Sequence, residues 1–332
     1  MSQSVTTNNN KNVLPPSSSP PHHRSLVTEF LLGGFSTMSA ALFTNPIEVV
    51  KTRMQVQGEL VRLGKVDRVY SNAFQAFYLI GKQEGVRGLQ GGLGPAILYQ
   101  LMMNGTRLGF YEPIKRFYTN DGKNPSTLKN IAAGSTSGVI AAVMGSPFFL
   151  IKVRLQVQQS SGNKTSSTPT VGFQHSYKGA LSGLKEIAQT EGIRGLYRGA
   201  TAAMLRVGVG SGVQLSCYDA CKSFVVSLSP NTFTNSSVST HFAASMVSGL
   251  FVTLAMNPFD VISTRMYNQP VVNGRNAVYS NVFDCAVKIA RAEGPIGFYK
   301  GFVPHFLRLG PHTILTFIFW EQLKIIATKM GY

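Results

Sequence analysis

Acidic residues are scarce. Only 14 Asp and Glu stand against 31 Lys and Arg in 332 residues, a formal net charge of +17. Charged side chains of both signs make up 14% of the chain, well below the roughly 25% of soluble domains. That shortage argues against the pair of soluble domains that the length alone would suggest. Cysteine is sparse too, three residues with no CxxC pair, which excludes a disulfide scaffold and a Cys-rich zinc site. The sequence offers no nucleophile–base pair, no metal-ligand cluster and no Gly-rich phosphate loop, so an enzyme is disfavoured and no cofactor or metal is implied. Mean hydropathy is just above zero, at +0.07. This fits membrane helices that each keep one polar side. The basic excess suits either a nucleic-acid binder or a membrane protein that handles anions. Bases recur through the whole chain and several fall inside apolar runs, so the second reading stands and no nucleic acid is expected.

Residues 1–24 are rich in Ser, Asn, Pro and Thr, contain no acid and show little apolar periodicity. They read as a disordered tail. Beyond it three elements recur in one order. The first is Pro46-Ile-Glu-Val-Val-Lys-Thr-Arg53, Pro147-Phe-Phe-Leu-Ile-Lys-Val-Arg154 and Pro258-Phe-Asp-Val-Ile-Ser-Thr-Arg265. The second is Glu84-Gly85, Glu191-Gly192 and Glu293-Gly294. The third is an aromatic–acid–x–x–Lys element at Tyr111–Lys115, Tyr218–Lys222 and Trp320–Lys324. The chain is therefore a triplicated unit of roughly 100 residues, with repeats at 25–120, 125–228 and 237–332. Stretches 30–47, 131–151, 242–259 and 88–106 contain no Asp, Glu, Lys or Arg and approach the ~20 residues needed to span a bilayer. Their counterparts in units two and three are interrupted only by Arg206 and Arg308. The expected fold class is an all-α membrane protein with two spans per unit, six in all, in pseudo-threefold arrangement. Short amphipathic pieces such as 71–83 and 177–189 would lie along the interface. Small residues precede each motif proline in a shared register, at Gly33/Thr37, Gly134/Gly138 and Ser245/Gly249, and predict close helix packing.

This triple motif resembles the mitochondrial carrier family over about residues 25–330, which implies a multi-pass protein of the mitochondrial inner membrane, acting as a monomer. In that family the proline-motif charges of successive repeats close the matrix side. The resemblance implies that Glu48 pairs with Lys152 and Asp260 with Lys51, while Phe149 and Ser263 replace both halves of the third pair. An Asp at position 149 would then stand unpaired unless Ser263 became Lys. Gln55 and Gln156 match the family's bracing glutamines, and Tyr267 occupies the third such place. On the cytoplasmic side Glu112, Asp219 and Glu321 would pair with Lys222, Lys324 and Lys115. These five gate acids with Glu84, Glu191 and Glu293 account for eight of the 14 acids.

Candidate substrate contacts follow from a common register on the second helix of each repeat. Thirteen residues before the gate acids stand Tyr99, Arg206 and Arg308, nine before stand Met103, Gly210 and His312, and five before stand Arg107, Gln214 and Thr316. Steps of four keep each set on one helix face. One arginine projects from each even-numbered span, at Arg107, Arg206 and Arg308, with no acid in the same stretch. An intramembrane arginine is costly and marks a functional site by default. Three converging guanidiniums would suit a small anion with two carboxylates, or a sulfate. Gln100, Asn104, Tyr99 and Gln214 could bond a substrate oxygen or one another. His312 could carry a proton near neutral pH, or make a structural hydrogen bond beside Pro311. Tyr197-Arg198-Gly199 and Tyr299-Lys300-Gly301 match positions where the family holds cardiolipin at helix N-termini. Strings such as Asn104-Gly105-x-Arg107, Gly145-Ser-Pro-Phe-Phe-Leu150 and Val213-Gln214-Leu215 resemble the family's fungal oxaloacetate branch. That implies transport of oxaloacetate, sulfate, malonate or 2-isopropylmalate, by exchange or coupled to protons. Another dicarboxylate or oxoglutarate exchanger, or an uncoupling-type proton leak, are the alternatives.

Overall fold

The computed structural model describes residues 26–59, 69–119, 126–159, 171–228, 238–272 and 275–330. The expected tail lies outside the described residues. The helices are α1 (Leu26–Val56), α2 (Ala73–Leu89), α3 (Leu93–Thr119), α4 (Thr127–Val157), α5 (Ala180–Thr190), α6 (Gly192–Leu196), α7 (Ala200–Leu228), α8 (Val238–Asn268), α9 (Val282–Glu293) and α10 (Phe302–Lys329). A two-residue hairpin, Val271–Val272 with Arg275–Asn276, and a 3₁₀ turn, Pro295–Tyr299, complete the third repeat.

The long helices α1, α3, α4, α7, α8 and α10 are the six expected spans. Each packs on the next in chain order and α10 returns to α1, closing a ring. By length and hydropathy alone, α4 and α8 are apolar enough to cross a membrane among the described residues. The others carry polar side chains within the bundle, such as Thr44, Asn45, Gln100 and Arg206. One close approach needs glycine: a Cβ on Gly138 would stand 2.9 Å from Val207 Cγ1, so α4 lies tightly against α7.

Pro46, Pro147 and Pro258 lie inside α1, α4 and α8, just before the motif charges. A proline there removes an i→i−4 hydrogen bond and lets the helix bend. Beyond the bends the three helices converge on one end of the bundle, where Val49, Val50, Ile151, Val153, Val261 and Ile262 are buried. The short helices α2, α5 and α9 pack on α1, α4 and α8 respectively. Asn72 and Asn281 cap α2 and α9, each side-chain oxygen accepting a backbone N–H three residues on.

Candidate functional site

At the proline-motif end, Lys51 Nζ lies 2.5 Å from Asp260 and Lys152 Nζ lies 2.7 Å from Glu48, all four side chains being buried. These are the two pairs that the resemblance implied. Gln55 Nε2 donates to Asp260 Oδ2 at 2.6 Å and its Oε1 accepts from Thr264 at 2.9 Å, so Gln55 braces one pair. Gln156 does not brace the other. Its side-chain carbonyl accepts from Thr52 and its side-chain amide donates to Asn45. Tyr267, at the third position, bonds Ser146 Oγ at 2.9 Å through its hydroxyl and lies against Gly199, where φ is +93°.

The second motif element finds its partners here. Arg53 pairs with Glu84, Arg154 with Glu191 at 2.9 Å, and Arg265 with Glu293 at 2.7 Å. Each arginine also donates through Nε to a carbonyl of another repeat. Arg53 reaches Gln156, Arg154 reaches Tyr267, and Arg265 reaches Gln55. The three ends are thus stapled in a ring, repeat one to two, two to three and three to one. Sequence reasoning left Glu84, Glu191 and Glu293 without partners. The signal was present in the arginine that ends each proline motif, but the reach between them is set by folding. The glycine after each glutamate has a left-handed backbone, φ +66°, +70° and +71°, turning the chain towards the next span.

The arginines do not converge on one point. Arg206 and Arg308 descend to the gate acids: Arg206 Nη1 is 3.6 Å from Asp260 Oδ1 and Arg308 Nη1 is 3.9 Å from Glu48 Oε1. Acids on neighbouring odd-numbered spans therefore partly compensate arginines that looked unpaired along their own stretches. Neither Nε has a hydrogen-bond partner, and Asp260 Oδ1 also lacks one. Arg206 Nη2 donates to Tyr99 Oη at 2.9 Å. Eight residues, about 12 Å of helix, separate Arg107 from Tyr99 on α3. Arg107 instead lines a cavity of about 460 Å³ with Asn104, Tyr111, Thr316 and Trp320. Gln214 is exposed on α7.

Between these levels runs a directed chain of hydrogen bonds. Asn104 Nδ2 donates to Gln100 Oε1, and Gln100 Nε2 lies 3.2 Å from His312 Nε2. His312 Nδ1 lies 3.2 Å from Thr44 Oγ1, which itself donates to Ala40 O. With the Thr44 proton committed, a neutral His312 protonated at Nδ1 satisfies every contact. His305, which sequence reasoning passed over, is buried 3.4 Å from Asn257 Oδ1 and 3.8 Å from Asp260.

The opposite end differs. Lys115 pairs with Glu112 one turn away on α3, at 3.5 Å. Among the described residues none of the three expected pairs between repeats is formed there: Glu112–Lys222, Asp219–Lys324 and Glu321–Lys115 are all apart. Glu112, Asp219, Glu321 and Lys324 are exposed.

Outside the spans, Glu59 and His175 are among the groups whose titration is shifted. Burial pushes Glu59 up to about 7, against the hydrogen bond from Asn268 and the nearby Arg265 charge. Burial, then Arg154, pushes His175 down to about 3, so a neutral ring donates to Asn268 O. The cations expected to face lipid phosphate are already engaged. Lys300 lies 2.6 Å from Glu293 and donates to Gln57 O, and Arg198 lies 3.6 Å from Glu191. The acidic-Gly glutamates stand close enough to claim them.

Comparison with known proteins agrees with this architecture. A family model described as mitochondrial carrier protein matches three times, at residues 22–122, 123–229 and 234–331. The mouse protein "Solute carrier family 25 member 35" is 44% identical over 300 residues, covering 89% of this chain and 97% of that protein. The "Mitochondrial oxaloacetate transport protein" of Saccharomyces cerevisiae is 42% identical, covering 90% of this chain and 89% of its own length. The "Mitochondrial citrate transporter E" of Aspergillus niger is 40% identical, with 91% and 94% covered. The chain belongs to the mitochondrial carrier family, as a multi-pass protein of the mitochondrial inner membrane that transports small anions and is not an enzyme.

Proposed function

We propose that this carrier moves oxaloacetate and related small dianions, sulfate, malonate and 2-isopropylmalate among them, by alternating access. The observation that carries this reading is the placement of Arg206 and Arg308. Both stand above buried gate carboxylates, at distances too long for good hydrogen bonds, with an Nε free to donate. An anion entering from the open end is drawn in by the positive field and meets Arg107 first. It then bonds Arg206 and Arg308, with Tyr99, Gln100 and Asn104 as further polar contacts. Its carboxylates compete with Asp260 and Glu48 for their cations. That competition weakens one gate while Glu112, Asp219 and Glu321 find Lys222, Lys324 and Lys115 at the other. Only tighter binding to the intermediate than to the end states can drive the change.

His312 is the proton carrier in this reading. Protonation makes Nε2 a donor, so the Gln100 amide must turn its oxygen towards the ring. A bound dianion supplies the negative charge that makes a cation beside Arg308 tolerable, which couples proton and anion. The fungal relative's name favours oxaloacetate and the Aspergillus relative's name favours citrate. A compact pair of guanidiniums suits the smaller anion. The carrier functions as a monomer, and cardiolipin headgroups bind at helix N-termini through backbone N–H groups more than through Arg198 and Lys300.

The test is counter-exchange in liposomes containing purified protein and internal sulfate, with labelled oxaloacetate, oxoglutarate, malate, citrate and sulfate outside. Fast exchange of oxaloacetate and sulfate with oxoglutarate and citrate excluded supports the reading. Preference for oxoglutarate or malate moves it to another dicarboxylate exchanger. Fatty-acid-dependent conductance without exchange replaces it with a proton leak.

A further inference from the structure

The place of the missing third gate pair is filled by an aromatic cluster. The Phe149 ring centroid lies 5.0 Å from that of Tyr99 and 5.1 Å from that of Tyr267. Two cations face the same ring: Arg206 Cζ lies 5.0 Å from its centroid and Lys152 Nζ lies 5.3 Å from it. Ser263, the other half of the lost pair, is buried with no partner for its hydroxyl. The expectation that an acid at position 149 would stand unpaired is therefore corrected. It would sit beside Arg206 and Lys152 and draw on both.

We propose that Phe149 is a positioning residue for the anion site, holding the Arg206 guanidinium by its ring face without neutralising it. A carboxylate in that place would claim Arg206 as an ion-pair partner and leave less of its charge for substrate. An aliphatic side chain would leave it free to swing fully onto Asp260, 3.6 Å away. The ring does neither. The quadrupole attracts the cation yet offers no hydrogen-bond acceptor, so Arg206 keeps its Nε open. Together with Tyr99 Oη, at 2.9 Å from Nη2, it fixes the guanidinium from two sides. Loss of the third pair thus has a use. It converts a gate position into the floor of the binding site.

The inference rests on Arg206 being an anion contact, and the test separates the two. Exchange kinetics in liposomes are measured for native carrier, Phe149→Leu, Phe149→Tyr, Phe149→Asp, Arg206→Lys, Arg206→Ala and the double variant Phe149→Leu/Arg206→Lys, each first checked for a cooperative thermal transition. Phe149→Leu is expected to raise KM for the dianion roughly tenfold with a smaller change in maximal rate. Phe149→Tyr, which keeps the ring, falls closer to the native value. The double variant raises KM by less than the product of the single effects. Phe149→Asp weakens inhibition by malonate more than inhibition by its singly charged monomethyl ester, a charge discrimination that loosened packing would not produce. If Phe149→Leu does not fold, the comparison of the two inhibitors on Phe149→Asp decides alone. A KM within twofold of native for Phe149→Leu, multiplicative effects in the double variant, or equal loss of both inhibitors overturns the inference, while loss of uptake in Arg206→Ala leaves the site itself standing. Native uptake by Arg206→Ala overturns the site.

Discussion

At the proline-motif end Glu48, Lys51, Lys152 and Asp260 are buried and paired at 2.5 and 2.7 Å, with three arginines stapling the helix ends beneath them. At the other end the same number of repeats supplies a complete set of acids and lysines, yet the one ion pair among them lies within a single helix, half in solvent. The incomplete set is closed and the complete set is open. Charge count does not decide which end is shut. Burial does, because an ion pair withdrawn from water is strong when geometrically satisfied and very costly when broken, whereas an exposed pair gains little. The cavity at Arg107 lies towards the end where the charges are exposed, and under the proposed mechanism this conformation is the one that receives substrate from that side.

The sharpest way to break the contrast is to cut a staple. Arg265→Ala leaves Glu293 with Lys300 as its remaining cation, where Arg265 first and then Lys300 hold its carboxyl below the usual range despite burial. It also removes the arginine's bonds to the Gln55 and Gln57 carbonyls of the first repeat, the second of which keeps its bond from Lys300. The expected loss is about 3–5 kcal/mol, read as a large drop in the thermal transition of the detergent-solubilised carrier. Next in size is Lys152→Gln, expected to cost about 3 kcal/mol by leaving Glu48 short of its nearest cation. Adding Glu48→Gln recovers part of that loss, and failure to recover any would break the claim that the pair acts as a unit.

Glu59 sharpens the comparison through pH. Its carboxyl titrates near 7 when buried and near 4.5 when exposed. The folded protein therefore holds a proton that the unfolded chain releases, and stability falls as pH rises from about 4.5 to 7, then levels off. Glu59→Gln keeps the acceptor for Asn268 and removes the charge. It is expected to stabilise the carrier at pH 8 by on the order of 2–3 kcal/mol and to leave it unchanged at pH 4. A thermal series over that range checks it, and a constant difference at all pH values would rule the titration out. Smallest of all is Glu112→Gln, expected to change stability by about 0.5 kcal/mol or less, while slowing exchange if that acid closes the outer gate in the other conformation.

Much of the architecture was legible before folding. The three proline motifs, the uncharged runs and the two spans per repeat all survive in α1, α3, α4, α7, α8 and α10. The pairs Glu48–Lys152 and Lys51–Asp260 were implied by family resemblance and stand at ion-pair distance. Other readings shifted for one recurring reason. Arg206 and Arg308 looked unneutralised because their carboxylates come from other helices. The elements carrying Arg198 and Lys300 matched the family's lipid positions, but Glu191 and Glu293 stand beside those cations. Gln156 looked like a brace because its register matches Gln55, but its side-chain hydrogen bonds go to Asn45 and Thr52.

Local rules decided the rest of what could be read early. Hydropathy over some 20 residues makes a span, proline bends it, and glycine with positive φ ends a short helix, whatever the neighbours are. Repetition then multiplies one unit by three. Folding decided which further groups meet, because Arg206 and Asp260, or Arg53 and Gln156, lie far apart in the chain, and hydrogen bonds and contact ion pairs form only at close range. The ring of arginine staples, the descent of two arginines to the gate and the aromatic floor at Phe149 are consequences of how closely three bent helices approach at one end.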